Sequence, residues 1–422
     1  MGETSAKPYQ LKGTDSPWYR GWELTEAERD RFRLNTLRSQ AEKSKAMRGH
    51  YADVAHPIPN PRLNIDSLMP QMLPNGLRSL SLFSGGGGLD IGFDRSGFDH
   101  VASYDILEIA GATLRSARPN WKVFSGESGD VCQVSWQKYR GEVDVLHGGP
   151  PCQPFSHAGY RSGAQDIRDM FPELVRAVLE VEPRAFVAEN VTGLATTRFR
   201  RYISDTIFKP LSRKYQIEMF TLEAASFGVP QRRKRVFLIG FQRKADAQRF
   251  ARPQGTHTFD RDIAGGLLAG TREVPELLRT MGAREALGLP DIGYDSLAPT
   301  IRSGLTGPRH TTSVLNSVTA KKQWSALRIW PNGVGETREA AAMFPAAGGH
   351  YRLSIPDCMV LQGFPEDWPI KPPVYQALGL IGNSVAPPMG YHVALAVARS
   401  LGAVQRPATD VPALAGGAHG RA

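Results

Sequence analysis

Cys152 stands in the run Gly149-Pro150-Pro151-Cys152-Gln153-Pro154-Phe155-Ser156, directly behind the apolar stretch Val143-Asp144-Val145-Leu146. Prolines fix φ and remove backbone donors, so this turn presents the thiol in a set position. The carboxyl end of a buried strand is where an open α/β sheet carries its chemistry. An isolated cysteine is more often a packing residue, but the flanking glycine and prolines fit a displayed nucleophile better than a core position. A second group follows one strand–helix unit later, where Glu189-Asn190-Val191 succeeds Phe186-Val187-Ala188. Neighbouring parallel strands would bring Cys152 and Glu189 to the same edge of the sheet. A carboxyl facing a thiol can protonate a ring nitrogen while the thiolate attacks carbon. The third group is Gln231-Arg232-Arg233-Lys234-Arg235, leading into a strand at Val236. Alternation sends Arg233 and Arg235 to one face and Arg232 and Lys234 to the other.

A glycine loop, Phe83-Ser84-Gly85-Gly86-Gly87-Gly88-Leu89-Asp90, links the apolar run Leu80-Ser81-Leu82-Phe83 to a helical segment. Such loops let a ligand approach the backbone. About twenty residues on, Asp105 closes the next strand, where an acidic side chain accepts ribose hydroxyls. The pair points to a nucleoside-bearing cofactor, either a dinucleotide or S-adenosylmethionine. Asp130 ends the next candidate strand and reads equally as an acceptor for an adenine amino group or as a turn cap.

These groups need a frame. Strands are expected at Leu80–Phe83, Val101–Tyr104, Val143–Leu146, Ala185–Ala188 and Val236–Ile239, with a helix at Met170–Val181. Strands alternating with helices imply a parallel sheet with crossovers. Residues 241–350 are rich in Gly, Pro, Thr and Arg and read as a loop-dominated second domain. Ahead of the sheet, Thr25 and Glu28 form a capping-box pattern opening a helix to about Lys45, and His56 to Pro74 reads as an extended linker. At 422 residues the chain has room for one large domain and a smaller one.

The formal charge is +10, with 51 Lys and Arg against 41 Asp and Glu. Residues 195–252 hold 14 of the former and 4 of the latter, leaving 37 against 37 elsewhere, so one tract supplies the whole excess. A local basic tract suits a polyanion better than a diffuse excess does. Cys132, Cys152 and Cys358 are far apart, which argues against zinc or a disulfide framework and fits a reducing cytoplasm. No apolar run reaches membrane-span length, and Met1-Gly2-Glu3-Thr4 is unlike a signal peptide.

Taken together, the Phe83–Gly88 loop, Pro150-Pro151-Cys152-Gln153, Glu189-Asn190-Val191, Gln231 with Arg233 and Arg235, Leu361-Gln362-Gly363-Phe364-Pro365 and Gly382-Asn383-Ser384-Val385 resemble the DNA (cytosine-5) methyltransferases, in the same order and across residues 78 to 400. In length and architecture the chain is similar to a bacterial type II restriction-modification methylase. The resemblance implies an α/β, Rossmann-like S-adenosylmethionine-dependent methyltransferase fold with a smaller, loop-rich target recognition domain. Its segments would be an N-terminal extension (1–75), a catalytic and cofactor-binding domain (76–244), the recognition domain (245–355), a segment returning to the catalytic domain (356–401) and a disordered tail (402–422).

The resemblance also implies roles. Cys152 would attack C6 of a flipped cytosine, Glu189 would engage N3 and the exocyclic amine, and Arg235 the O2 carbonyl. Arg233 would contact phosphate or support the catalytic turn. Phe83, Gly85, Gly87, Gly88, Asp105, Ile106, Asp130, Pro151, Phe171, Asn383 and Ser384 would form the S-adenosylmethionine site. Gln153, Ser156, Arg168, Gln231, Thr300, Arg302 and Arg309 would meet double-stranded DNA. The implied enzyme is a monomer in the bacterial cytoplasm with no metal, whose partner in genetic rather than physical terms is a cognate restriction endonuclease. Asp105 stands where the family commonly has Glu, Ile106 where an aromatic often stacks, and Pro356-Asp357 where Arg-Glu is frequent. Two rival readings are a nicotinamide-dependent oxidoreductase and a DNA-binding protein with an inactive methylase fold. The first leaves the Pro-Cys turn and the basic tract unexplained, and the joint presence of Cys152, Glu189 and Arg235 speaks against the second.

Overall fold

The computed structural model describes residues 57–151, 169–259, 277–302, 312–314, 317–343, 350–371 and 373–408, with scattered positions between 26 and 44. A seven-stranded sheet contains β1 (Arg78–Leu82), β2 (Asp99–Asp105), β3 (Val123–Ser125), β4 (Val145–Gly148), β5 (Ala185–Val191), β6 (Gln216–Glu223) and β7 (Lys234–Phe241). Their spatial order is β3-β2-β1-β4-β5-β7-β6. Adjacent strands from β3 to β5 pair in parallel, whereas β7 runs antiparallel to both β5 and β6. The five strands given ranges all occur; the candidate strand before Asp130 ends five residues earlier as β3, and β6 and the reversal at β7 escaped that reading. β3 has three residues, too few for a pattern, and β6 has only one fully buried position. The chain order reverses between β1 and β4, which is the switch point where such sheets bind ligands.

Helices α1 (Gly88–Arg95), α2 (Glu108–Ala117), α3 (Phe171–Val181) and α4 (Lys244–Arg249) alternate with these strands. α5 (Val318–Ala326), α6 (Arg338–Ala342), α7 (Ile355–Gln362), α8 (Val374–Asn383) and α9 (Pro387–Ser400) follow. Both sheet faces are covered, so central strands read as continuous apolar runs. Leu146, Phe186 and Leu238 pack with α3 residues Leu174 and Val178 on one face. Val145, Val187 and Phe237 pack with Phe93 of α1 and Val393 and Val397 of α9 on the other. α9 thus packs on the sheet. α4 joins it there, with Arg249 donating to the Ser400 carbonyl at 3.0 Å, so sheet-side packing runs past residue 245.

Beyond α4 lie two short paired strands, β8 (His257–Thr258) and β9 (Leu278–Arg279), and a parallel pair, β10 (Ile329–Gly335) and β11 (Tyr351–Ser354). Trp324, Leu327, Ile329, Tyr351 and Leu353 share one core, so this lobe has more regular structure than its loop-like composition suggests. Pro356 and Asp357 open α7. Proline suits the first helical turn, and Asp357 completes a capping box with Ser354. The fully buried Asp357 also takes Arg338 Nε at 3.0 Å and the Tyr351 hydroxyl at 2.7 Å.

The expected N-terminal helix is present at its described positions, all helical from Glu26 to Ser44; Thr25 and Glu28 lie outside the described residues. Residues 57–75 are extended only in part, since Ile65–Leu68 form a helical turn, and they are bonded along their length. Arg62 and Leu63 amides donate to the Ala286 carbonyl, Tyr391 donates to the Pro70 carbonyl, and Leu73 N–H to that of Arg406.

Candidate active site

The base half of the site is built by strand register. Glu189 pairs with Phe237 across antiparallel β5 and β7, and Val191 pairs with Arg235. Glu189 and Arg235 are therefore diagonal neighbours on one face, close enough for long side chains to meet. Arg235 Nε lies 2.7 Å from Glu189 Oε1, and the two side chains are only 10% and 7% exposed. Burial raises the Glu189 carboxyl above its ordinary range, with Arg235 and then Arg233 pulling the other way. β5 extends to Val191, so Glu189 sits within the strand rather than beyond it.

β4 delivers the Gly149-Pro150-Pro151 turn alongside. Gly148 pairs with Ala188, the residue before Glu189. Asn190 Nδ2 donates to the Pro150 carbonyl at 3.0 Å. A Cβ on Gly149 would come to 2.9 Å from Glu189 Oε2, so any larger residue here would push on this carboxylate. Pro151 ends the described part of the turn; Cys152, Gln153, Ser156 and Arg168 lie outside the described residues. So does Arg309.

From Gln231 to Arg235 burial alternates residue by residue. Gln231 and Arg233 are fully enclosed and Arg235 nearly so, while Arg232 and Lys234 are exposed. Enclosure corrects two expectations. Gln231 cannot meet DNA, because its amide donates to the Leu361 carbonyl (3.0 Å) and Gln362 Oε1 (2.9 Å) and accepts from Ile301 N–H (3.2 Å). Arg233 reaches no phosphate, because it donates to the carbonyls of Ile301 (3.3 Å), Gly382 (2.8 Å) and Ser384 (2.5 Å). Both are braces that join β7, the second lobe and the C-terminal helices. Thr300 donates to the Arg232 carbonyl, and Arg302 is half-buried beside it in the chain.

At the other edge, β1 is followed by Phe83, whose φ of +56° is unusual for a side-chain-bearing residue and costs about 1–2 kcal/mol. Gly85 N–H donates to Asp105 Oδ2 at 2.7 Å, and Leu107 N–H to Oδ1 at 2.8 Å. Burial pushes the Asp105 carboxyl up to about 6, with those amides opposing. Each oxygen keeps a further lone pair for a ligand hydroxyl. The four glycines differ sharply. A Cβ on Gly85 would meet nothing nearer than 3.9 Å, whereas Gly87 lies against Trp368 and Leu114 and Gly88 against the Val385 carbonyl. Gly85 therefore leaves open space over the loop, whereas Gly87 and Gly88 are also required by packing. Ile106, half-exposed, follows Asp105. β3 ends at Ser125, so Asp130 is not a strand terminus; it caps a short 3₁₀ turn through Cys132 N–H at 3.0 Å.

Three other expected cofactor contacts differ in their surroundings, with Ser384 lying against Gly86 and Gly88 of the loop. Phe171 is fully buried in the core at the start of α3. Ser384 donates to the Leu380 carbonyl at 2.7 Å, and its own carbonyl takes Arg233 and Gln362. Asn383 remains exposed at the end of α8. Trp368, unnoticed in the sequence, donates from Nε1 to the Gly86 carbonyl at 2.9 Å. Its signal was the nearby Leu361–Pro365 motif. Asp90, on α1 below the loop, is buried and accepts from Ser103 at 2.8 Å; burial raises its carboxyl to about 6 despite the hydroxyls of Ser103 and Ser81.

Among the described residues no helix is long and apolar enough to cross a membrane. Comparison with known proteins agrees with this architecture. A family model for C-5 cytosine-specific DNA methylase matches residues 77–399. The type II methyltransferase M.NgoMIV of Neisseria gonorrhoeae is 30% identical over 341 residues, spanning 76% of this chain and 97% of that protein. M.PspPI of a Psychrobacter species is 31% identical over 339 residues, 78% of this chain and 80% of its own length. A crystal structure of a DNA modification methyltransferase from an E. coli prophage shares the fold, with a TM-score of 0.50 and 21% identity over 78% of this chain and all of that one.

Proposed function

The chain belongs to the C-5 cytosine-specific DNA methylase family and is a DNA (cytosine-5) methyltransferase, and on that premise we propose how its own residues act. The target cytosine leaves the duplex, because its reacting atoms are inaccessible while stacked. The Cys152 thiolate adds to C6. Glu189, whose raised pKa favours its protonated form, hands a proton to N3, so the charge from thiolate addition does not accumulate on the ring. Arg235 binds the O2 carbonyl and keeps the remaining charge at Glu189 compensated. C5 is then electron-rich, and S-adenosylmethionine supplies the methyl group that it takes. Loss of the C5 proton to solvent expels the Cys152 thiolate, N3 returns its proton to Glu189, and the aromatic ring is restored.

The residues at the β1 edge suit that cofactor: the open face of Gly85 gives its body room, and Asp105 offers two fixed acceptor oxygens to ribose hydroxyls. Residues 245–355 select the DNA site, with Thr300, Arg302 and Arg309 as contacts, and the enzyme protects host DNA from a cognate restriction endonuclease. The observation that carries this reading is the buried Glu189–Arg235 pair set against the Gly149-Pro150-Pro151 turn. Two measurements test it. DNA bearing 5-fluorocytosine traps a covalent adduct with the parent chain and not with Cys152→Ser; an adduct with the serine variant refutes the nucleophile. Labelled methyl transfer from S-adenosylmethionine to DNA tests the cofactor and the product.

A further inference from the structure

Besides sharing an apolar core with α1 and α2, the second lobe is hydrogen-bonded to the sheet side along two separate lines. The first runs beside the site: Ala298 N–H donates to the Pro230 carbonyl and Arg232 N–H to that of Ala298, both at 2.9 Å, and Arg233 reaches Ile301. It continues where Thr256 N–H donates to the Ser226 carbonyl at 2.9 Å and Thr280 Oγ1 to the Ala225 carbonyl at 2.8 Å. All of these bonds fall on sheet-side residues 225–233, one stretch about which a lobe can turn.

The second line is the segment ahead of the family match, which begins at residue 77. At one end, Arg62 and Leu63 N–H donate to the Ala286 carbonyl at 3.0 and 3.4 Å. There Gly288, at φ +71°, lies so close that a Cβ would collide with the Asn60 carbonyl oxygen. A helical turn, Ile65–Leu68, is capped by Asn64 and packs Ile65 and Leu68, with Met69 and Met72, into the core that the second lobe shares with Ile91 of α1 and Leu114 of α2. At the other end Asp66 takes Arg95 of α1 at 2.6 Å, Pro70 takes the Tyr391 hydroxyl of α9 at 2.8 Å, and Met72 N–H donates to the Arg95 carbonyl at 2.8 Å.

We infer that residues 57–73 are a strap that holds the recognition lobe in register with the catalytic sheet, and so a positioning element for target DNA. A second line of attachment away from the first removes the rotation that one line permits. The strap touches neither Asp105 nor the Glu189–Arg235 pair in any described contact, so it acts on DNA engagement rather than on chemistry. This inference rests on the reading that residues 245–355 present DNA to Glu189 and Arg235.

Gly288→Ala displaces the strap at its lobe end. Gly293→Ala is the control: it has the same left-handed φ (+75°), but a Cβ there meets nothing within 4 Å. In Gly288→Ala the KM for target duplex rises at least about fivefold while kcat stays within about twofold, because misplacement weakens productive docking. Calorimetric affinity for S-adenosylmethionine stays parental, and the Arg62 and Leu63 amides exchange faster with solvent. Gly293→Ala leaves all four unchanged. Should Gly288→Ala fail to fold, Arg62→Pro deletes the first donor to Ala286 from an exposed position and carries the same expectation. The inference is overturned by a parental KM for DNA despite fast exchange at Arg62 and Leu63. An equal rise in Gly293→Ala, or a parallel loss of cofactor affinity, overturns it as well. A parent enzyme that methylates no DNA would instead refute the functional reading itself.

Discussion

Two carboxylates define the two edges of the site, and they are held in opposite ways. Asp105 and Glu189 each lie at or near the end of a parallel strand, beside a glycine turn, and burial raises both. Asp105 is fixed by two backbone amides, Gly85 and Leu107, which neither move nor change charge. Glu189 faces a guanidinium from the neighbouring antiparallel strand. An amide-held carboxylate is a rigid acceptor, suited to orienting hydroxyls. One beside a fixed cation can gain or lose a proton without leaving the site uncompensated. The partner, more than the carboxyl itself, decides between binding and proton transfer.

The sharpest way to break this contrast is Glu189→Gln, which preserves shape and removes the proton-transfer function. Methyl transfer falls about 10²–10⁴-fold, while S-adenosylmethionine affinity measured by calorimetry is unchanged; a change confined to KM would erase the distinction. Arg235→Ala leaves a buried carboxyl without its cation and costs about 3–5 kcal/mol of stability by denaturant melts. The Glu189 pKa rises further, so in pH–rate profiles its ionisation moves to higher pH; an unmoved limb would remove Arg235 as its modulator. Asp105→Ala weakens S-adenosylmethionine by about 1–3 kcal/mol and leaves single-turnover chemistry at saturating cofactor intact. An unchanged dissociation constant would place the ribose contact elsewhere.

The smallest effect concerns Asp90, a carboxyl held below the same loop by the Ser103 and Ser81 hydroxyls and a backbone amide. Its folded pKa of about 6 exceeds the ordinary 3.8, so the folded state binds the proton more tightly than the unfolded one. Its contribution to stability is therefore full below about 3.8 and lost as pH rises through about 6. Asp90→Asn flattens that part of the profile and raises neutral-pH stability by about 1–2 kcal/mol; a variant with the parental pH slope would show the group ionises freely in the fold.

Much of this was legible in the chain. The strands carrying Glu189, Asp105 and the Pro-Cys turn are local apolar runs, and single-residue alternation separated Arg233 and Arg235 from Arg232 and Lys234. What escaped was non-local. Nothing near Gly87 or Gly88 reveals that Trp368 and Val385 fill the space above them, so their packing requirement could not be read locally. Gln231 and Arg233 looked like surface contacts because their acceptors, Leu361, Ile301, Gly382 and Ser384, lie some 70 to 150 positions away in the chain. The linker-like composition of residues 57–75 likewise concealed a segment bonded at both ends.

The tie from Trp368 to Gly86 has a practical corollary. The indole stands over the Arg118 guanidinium, 5.3 Å from ring centre to Cζ, and is nearly sealed from solvent while touching the very backbone that borders Gly85. Indole emission responds to the charge and polarity around the ring, so the molecule carries its own optical gauge of that loop. Titrating the cofactor against intrinsic fluorescence, with Trp368→Phe as the blank, would read loop displacement directly and without a label.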